Sequence, residues 1–337
     1  MSRYAAVHAW DNLAGEGDAR PTAAQIIRDA GKTNLKGQVI IITGVSSGTG
    51  AASARALAPT GAELYLAGRS IPKAKAALST IADLPNVHFL ELDLASTASI
   101  RAFAAEFLKQ SGGRLNVLLN NAGGVLAERK VTVDGFEQQL AVNHLGPLLL
   151  FALLKDALLA SASPSNPSRV VNVSSVGHRY GTIRWDDPNF EKGEYIPPVA
   201  YGQAKTASIY TASEIDRRYG AQNLHAWSVH PGAILDSAFL DNSGWDRGYL
   251  DGMVSAWPKK LFKSSEQGAA TQIWAAVSDD VLAEGVTGKY LEDCSVAVHM
   301  SKSDSAEWRG HADHTYNEED AKRCWELSEK LLGIRVE

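Results

Sequence analysis

The stretch QVIIITGVSSGTG, residues 38–50, decides the fold. Its first half is a continuous β-branched apolar run, the pattern of a strand covered on both faces in a parallel sheet. Its second half spaces Gly44, Gly48 and Gly50 as G-x3-G-x-G, with Ser46, Ser47 and Thr49 between them, ahead of an Ala-rich segment with helical spacing. Glycines at such a turn let the backbone bend tightly and approach a pyrophosphate, whose charge meets the free amides and positive end of the helix. A glycine-rich run alone is also an ordinary turn. Its place directly after the first strand of a parallel series makes a dinucleotide site the expectation.

Outward from this stretch, short aliphatic runs alternate with longer segments of helical period. The strand-like runs are 38–43, 62–67, 87–92, 115–119, 169–173 and 224–229, with a weaker one at 288–292. Helices are expected near 48–58, 72–82, 97–110, 133–160, 200–219 and 266–277. The rhythm predicts βαβ units. The expected fold is a single α/β domain, a Rossmann-type doubly wound parallel sheet of about seven strands with helices on both faces. Residues 1–35 read as an N-terminal extension with a short helix in TAAQIIRDA, 36–300 as the catalytic domain, and 301–337 as a helical tail packed on it. Within the domain, 177–199 is a Pro/Trp/Asp-rich insertion, and 231–265, with Trp245 and Trp257, is a substrate-loop candidate.

Composition excludes several classes. With 337 residues, 45% hydrophobic and 21% charged, a net charge of −5 and no basic stripe, the chain reads as a globular protein and not a nucleic-acid binder. PKKLFK at 258–263 is a solvated loop by this reading. Cys294 and Cys324 stand in no metal or redox spacing, so two unpaired thiols in a reducing compartment are expected, with no metal site. The first thirty residues carry early acids and no apolar core of a leader, and the apolar run 145–154 stops at Lys155 and Asp156, so a cytoplasmic protein without a membrane span is expected.

At the end of the second strand, where an NAD site ordinarily holds an acid for the adenosine ribose, the sequence reads LAGRS. Arg69 would pair with a 2′-phosphate and stack on adenine, so NADP(H) is favoured over NAD(H); the alternative is a guanidinium lying on the sheet surface. Asp93, ending the third strand, would accept from the adenine amino group, or else it or Ser96 caps the next helix.

In YGQAK, residues 201–205, Tyr201 and Lys205 lie four apart, on one face of a helix. Alone the pair is a weak motif. It gains meaning from order: TGVSSGTG, DL at 93–94, NNAG at 120–123, VNHLG at 142–146, VVNVSS at 170–175, YGQAK, and HPG at 230–232. Over roughly residues 36–300 the chain resembles the short-chain dehydrogenase/reductase family, and within it the retinol-dehydrogenase and WW-domain-oxidoreductase-like branch, to which RVVNVSSVGH, the insertion before the tyrosine and the WELSEKLLG tail are similar. Neither that branch's membrane anchor nor its WW domains is recognised in the sequence.

The resemblance implies a tetrad of Asn143, Ser175, Tyr201 and Lys205. Tyr201 would exchange a proton with the carbonyl oxygen while hydride passes to or from the nicotinamide, and Ser175 would bond the same oxygen. An ammonium about 5 Å away, at an effective dielectric of 20, would lower the phenol by roughly two pKa units, so Lys205 is expected to tune Tyr201. Lys205 would also hold the nicotinamide ribose. Asn143 would keep a helix irregular so that its backbone binds a water, or be only a kink. Ser174 rivals Ser175, which the family pattern favours. Cofactor contacts are implied at Leu94, Asn120, Ala122, Gly123, Pro231, Gly232 and Ile234, with His230 shaping the turn. Two departures stand out: Asp236, followed by Ser237, replaces the hydroxyl residue expected for the carboxamide, and Thr49 replaces an apolar residue.

His178, Tyr195, Phe239 and Trp245, with Ser175 and Tyr201, are the candidate substrate residues, suited to a small hydrophobic ketone, aldehyde or alcohol, or else they only pack the loops. An NADP(H)-binding scaffold without turnover, and a non-redox isomerase or cyclase on the same fold, are the alternatives. A homodimer through the helices that follow Asn143 and carry Tyr201 is possible, unless the insertion covers them.

Overall fold

Val39–Thr43 is the central strand β1, and all five of its residues are buried. In the computed structural model, which describes residues 2–337 apart from 237, 242 and 284, it lies between β2 (Glu63–Gly68) and β4 (Val117–Asn120). Beyond them come β3 (Val87–Glu91) on one side, and β5 (Ser168–Val173), β6 (Leu224–His230) and β9 (Tyr290–Glu292) on the other. These seven strands are parallel, and they are the seven apolar runs. The order 3-2-1-4-5-6-9 reverses direction between β1 and β4, which opens a crevice at the carboxyl ends of those two strands.

The sheet has eight strands, one more than expected, because β10 (Ser295–Val296) folds back antiparallel on β9 through Asp293 and Cys294, both at positive φ. Two residues carry no periodicity to read. A separate two-stranded ribbon pairs β7 (Ala233–Ile234) with β8 (Phe262–Lys263), inside the stretch expected to be loop.

Strand residues alternate between two cores. Ile40, Ile42, Leu64, Leu119 and Val229 face one side with Leu57, Ile273 and Trp274. Val39, Ile41, Leu118 and Val170 face the other with Phe107, Leu148, Phe151 and Trp325. Helices therefore cover both faces, as expected. Helix Thr97–Ser111 starts at Ser96, whose side chain accepts from the Ser99 amide, and stops at Gly112 in the left-handed region. The helix expected at 72–82 is shorter, Ile71–Ala77. That expected at 266–277 divides into Ser265–Gly268 and Ala270–Val277.

The helix expected at 133–160 runs Gln138–Ser161 and changes winding on the way: Ala141–Leu145 is a π turn, and Gly146–Ser161 continues as an α-helix with Pro147 in its first turn. By length and composition Gln138–Ser161 could cross a membrane, but 61% of its apolar window is buried against the sheet and its neighbours, as in a core helix.

Both terminal segments pack on the domain. Helix Ala23–Asp29, capped by Thr22, buries Ile26 and Ile27 in the first core. Ahead of it Arg20, 3% exposed, donates to the consecutive carbonyls of Lys260 (3.3 Å), Leu261 (3.2 Å) and Phe262 (2.6 Å), and pairs with Asp18 at 2.8 Å. The extension thus straps down β8. The tail helix Glu318–Leu332 lies on helix Pro197–Tyr219: Trp325 packs edge-on to Phe151 at 6.2 Å, and Ser328 meets His144 at 2.7 Å. Burying a side chain the size of Trp325 contributes about 3 kcal/mol. On helix Pro197–Tyr219 the face expected to carry a dimer contact is covered by the chain's own tail helix together with the insertion, whose Ile183 and Trp185 pack with Ala207, Tyr210 and Cys324. Cys294 and Cys324 are free, buried thiols.

Candidate active site

The glycine loop follows β1. Gly44, at φ +75, lies so close to Ala122 that a Cβ would stand 2.7 Å from its Cα, and a Cβ on Gly50 would meet the Gly44 carbonyl at 2.2 Å. Helix Gly48–Leu57 begins after Ser47, whose side chain makes no cap bond; its Oγ accepts instead from the Ala238 amide at 3.4 Å. The first-turn amides therefore have no side-chain partner among the described residues.

A residue passed over in the NNAG motif holds this loop in place. Asn121 Nδ2 donates to the carbonyls of Thr43 (2.9 Å) and Gly44 (3.2 Å), while its Oδ1 accepts from Thr49 Oγ1 (2.8 Å) and Gln272 Nε2 (3.2 Å). The hydroxyl that Thr49 brings in place of an apolar side chain thus joins the glycine loop to the residue after β4. The only sequence signal for Asn121 was a second amide at the end of a buried strand. Asn120 bonds Asn172 across β4 and β5 at 2.9 Å, and the Ala122 amide donates to Thr43 Oγ1 at 2.9 Å.

Arg69 directly follows β2, is exposed, and makes no side-chain hydrogen bond or ion pair among the described residues. Asp93 is not the helix cap; that is Ser96. Asp93 Oδ1 accepts from the Ala95 amide at 2.9 Å in a local turn, and Leu94 is buried in the second core.

Asn143 sits inside the π turn. Its Nδ2 donates to the carbonyls of Gly124 (2.9 Å) and Gln139 (2.8 Å), and its Oδ1 accepts from the Gly124 amide at 3.0 Å, tying the irregular winding to the loop after β4. Its carbonyl accepts from Ser208 Oγ at 2.9 Å. A Cβ on Gly123 would lie 2.7 Å from Asn143 Oδ1 and 3.1 Å from Lys205 Nζ, so these three positions share one corner.

The two serines separate cleanly. Ser174 is buried and donates to the Lys205 carbonyl at 2.8 Å, a structural bond. Ser175 Oγ accepts from the Gly177 amide at 3.0 Å and sits on the Tyr201 side of Gly177, where it lowers the pKa of the phenol. Gly177 has no room for a side chain, since a Cβ would stand 2.7 Å from the Tyr201 ring. Lys205, 3% exposed, donates to the Val173 carbonyl at 2.9 Å, with Nζ 5.5 Å from the Tyr201 ring centre.

The expected acidification of Tyr201 is not what this geometry gives. Burial pushes the phenol up to about 12, partly offset by Ser175, and burial pushes Lys205 down to about 7. Desolvation disfavours the charged form of both groups and is the first cause at each.

Of His178, Tyr195, Phe239 and Trp245, it is Phe239 that meets Tyr201 among the described residues, edge-on at 5.9 Å. His178 does not line a cleft: it is fully buried, with Nδ1 2.7 Å from the Ser175 carbonyl oxygen. The Tyr195 hydroxyl accepts from Gln139 at 2.6 Å and donates to buried Glu137 at 2.9 Å, so the insertion uses it for packing. The one ring contact of Trp245 among the described residues is Tyr249, within the loop, at 5.9 Å.

After β6, His230 Nδ1 accepts from the Val176 amide at 3.3 Å, and Pro231 leads to Gly232 at φ +98, pressed against the aliphatic stem of Lys263. Ile234, in β7, packs against Thr49 and helix Ser265–Gly268, where a Cβ on Gly268 would stand 2.3 Å from Ile234 Cδ1. Asp236 is committed elsewhere: its carboxylate accepts from the Ser265 amide (3.1 Å) and hydroxyl (2.7 Å). Ser237 lies outside the described residues. No cluster of metal-ligating side chains occurs among the described residues.

Residues 38–246 match the family model described as short chain dehydrogenase. Short-chain dehydrogenase/reductase prx1 of Penicillium roqueforti is 44% identical over 321 residues, 95% of this chain and 92% of that protein. Retinol dehydrogenase 12 of mouse is 39% identical over 306 residues, 90% of this chain and 89% of that protein. A solved structure from Mycobacterium paratuberculosis superposes with a TM-score of 0.67 at 30% identity, covering 90% of this chain and 96% of that one. Fold, motif order and site geometry agree with these likenesses: the chain belongs to the short-chain dehydrogenase/reductase family of oxidoreductases, on its retinol-dehydrogenase-like branch.

Proposed function

We propose that the protein is an NADP(H)-dependent oxidoreductase that interconverts a hydrophobic ketone or aldehyde and its alcohol, working in the cytosol and with Gln138–Ser161 as a core helix. The observation that carries this reading is Ser175 and Lys205 gathered against Tyr201, at the carboxyl end of β5 and next to the glycine loop.

The residues present fit a dinucleotide. The first-turn amides of helix Gly48–Leu57, without a side-chain cap, suit a pyrophosphate, and Arg69, exposed and unpaired, suits a 2′-phosphate. A bound nicotinamide would supply or accept the hydride. Tyr201 holds its proton at neutral pH, which suits donation to a carbonyl oxygen better than removal of a proton from an alcohol, so reduction is the favoured direction. Ser175, whose Oγ already accepts from Gly177, keeps its own hydrogen to donate to that oxygen. Lys205 returns a proton to the phenol, and Asn143, which meets it at Gly123, holds the irregular turn whose backbone would bind the relaying water. Phe239 gives the substrate an apolar wall.

The test is NADPH consumption with a panel of hydrophobic ketones and aldehydes, wild type beside Tyr201→Phe. Turnover abolished by the substitution with NADPH binding intact supports the reading; turnover that survives it, or none with any carbonyl in either protein, sinks it.

A further inference from the structure

Two histidines, buried His178 and half-buried His230, grip the two polar groups of a single peptide bond, the one joining Ser175 to Val176. On the carbonyl side, His178 Nδ1 lies 2.7 Å from the Ser175 oxygen, and the opposite nitrogen of that ring accepts from the Ala312 amide at 3.2 Å. A ring that accepts at Nε2 carries its hydrogen on Nδ1, so His178 donates to the carbonyl. On the amide side, Val176 N donates to His230 Nδ1 at 3.3 Å, which assigns that ring the other tautomer.

The rings reach this peptide from different parts of the chain. His178 comes from the 3-10 turn Val176–Tyr180, with the Tyr290 ring edge-on at 4.9 Å and Thr315 Oγ1 3.2 Å from Nε2. His230 ends β6, where it stands in register with Glu292 of β9. Burial holds both rings neutral, each pushed down to about 3, so each offers one donor and one acceptor.

This peptide plane turns by coupled rotation about the Ser175 ψ and the Val176 φ, and any swing would displace the Gly177 amide that donates to Ser175 Oγ at 3.0 Å and so change where that hydroxyl points. Little slack is available, because Gly177 lies against the Tyr201 ring and its amide donates to Ser175 Oγ.

We infer that His178 and His230 are positioning residues, a two-sided clamp on the Ser175–Val176 peptide that aims the Ser175 hydroxyl at the same point as Tyr201. The inference rests on the oxidoreductase reading above. It also gives both histidines a purpose other than lining the pocket or exchanging protons.

The experiment compares leucine with asparagine at each position. The amide of asparagine places a donor nitrogen or an acceptor oxygen close to where Nδ1 stood, and leucine supplies neither. His178→Leu and His230→Leu are expected to lower kcat about tenfold each, with carbonyl KM and NADPH affinity changed less than about twofold. His178→Asn and His230→Asn restore most of the loss. The double leucine variant loses less than the product of the singles, because both rings hold one peptide. Independently of turnover, hydrogen exchange at the Val176 amide quickens in His230→Leu and not in His230→Asn.

Unchanged kcat in both leucine variants overturns the clamp, as does asparagine failing to restore it, a loss confined to NADPH affinity, or wild-type exchange at Val176 in His230→Leu. If wild type reduces no carbonyl, the functional reading falls while the exchange measurement still decides the clamp.

Discussion

Lys205 Nζ stands 5.5 Å from the centre of the Tyr201 ring while donating to the Val173 carbonyl, so the amine is tethered to the strand that delivers Ser175. Burial sets its pKa near 7, and that of the phenol near 12. Across neutral pH the tyrosine therefore keeps its proton while the lysine changes charge. Reductive kcat/KM is expected to fall as pH rises through about 7, where the ammonium is lost, and Lys205→Arg should flatten that limb. Tyr201→Phe should cost about 10²–10⁴ in kcat. The stability sign is opposite. Between about 7 and the ordinary 10.5 the unfolded chain binds the extra proton, so this group makes the fold gain stability as pH rises through that window. Lys205→Met should accordingly raise the melting temperature most below pH 7 and least near the top of the window.

Arg69 has no partner to lose within the described protein, so its replacement is a clean test of cofactor choice. Arg69→Asp should weaken NADPH about 10–100-fold, the worth of one charge-assisted contact, and leave NADH unchanged or improved. Titration of nicotinamide fluorescence measures both. Equal loss for the two coenzymes would remove Arg69 from the 2′-phosphate.

Asp236 and Ser265 share two hydrogen bonds that close the base of the loop rising after β7. Asp236→Ala should speed limited proteolysis within residues 236–258 about tenfold. Ser265→Ala should do so less, since its amide still donates. The double variant should add little beyond Asp236→Ala, because both changes break one contact.

Arg20 satisfies three successive carbonyls at the return of that loop and pairs with Asp18. Arg20→Met takes the guanidinium from those carbonyls and leaves the nearly buried Asp18 carboxylate without its cation, and should cost about 3–5 kcal/mol of stability, read from the urea midpoint. A loss under about 0.5 kcal/mol, the range of an ordinary surface change, would show that the extension is not a strap.

The legible part of this fold was the part that repeats. Seven parallel strands announce themselves as apolar runs because both faces of a parallel sheet are covered, and Tyr201 and Lys205 show their shared face because helix geometry is regular. Single long-range hydrogen bonds leave no such trace. Nothing in the sequence around Arg20 points to β8, nor around Asn121 to Gln272, and β7, β8 and β10 are too short to have a period. Aromatic residues in irregular segments carry no directional signal either, so Phe239 reaches the site while Tyr195 and His178 turn to internal partners. The tuning of Tyr201 was misjudged for a different reason: residue spacing gives a distance, and a pKa also needs the depth.

Gln272 reaches back from the late helix Ala270–Val277 to the Thr49 carbonyl, to Ser53 Oγ at 2.8 Å and to Asn121 Oδ1, so the coenzyme cradle of the first half is riveted by a side chain from the second. The mononucleotide half cannot be excised as a working module. A fragment ending after β5 would keep its glycines and lose the amide that fixes their curvature, and coenzyme affinity in this protein therefore reports on completion of the whole fold.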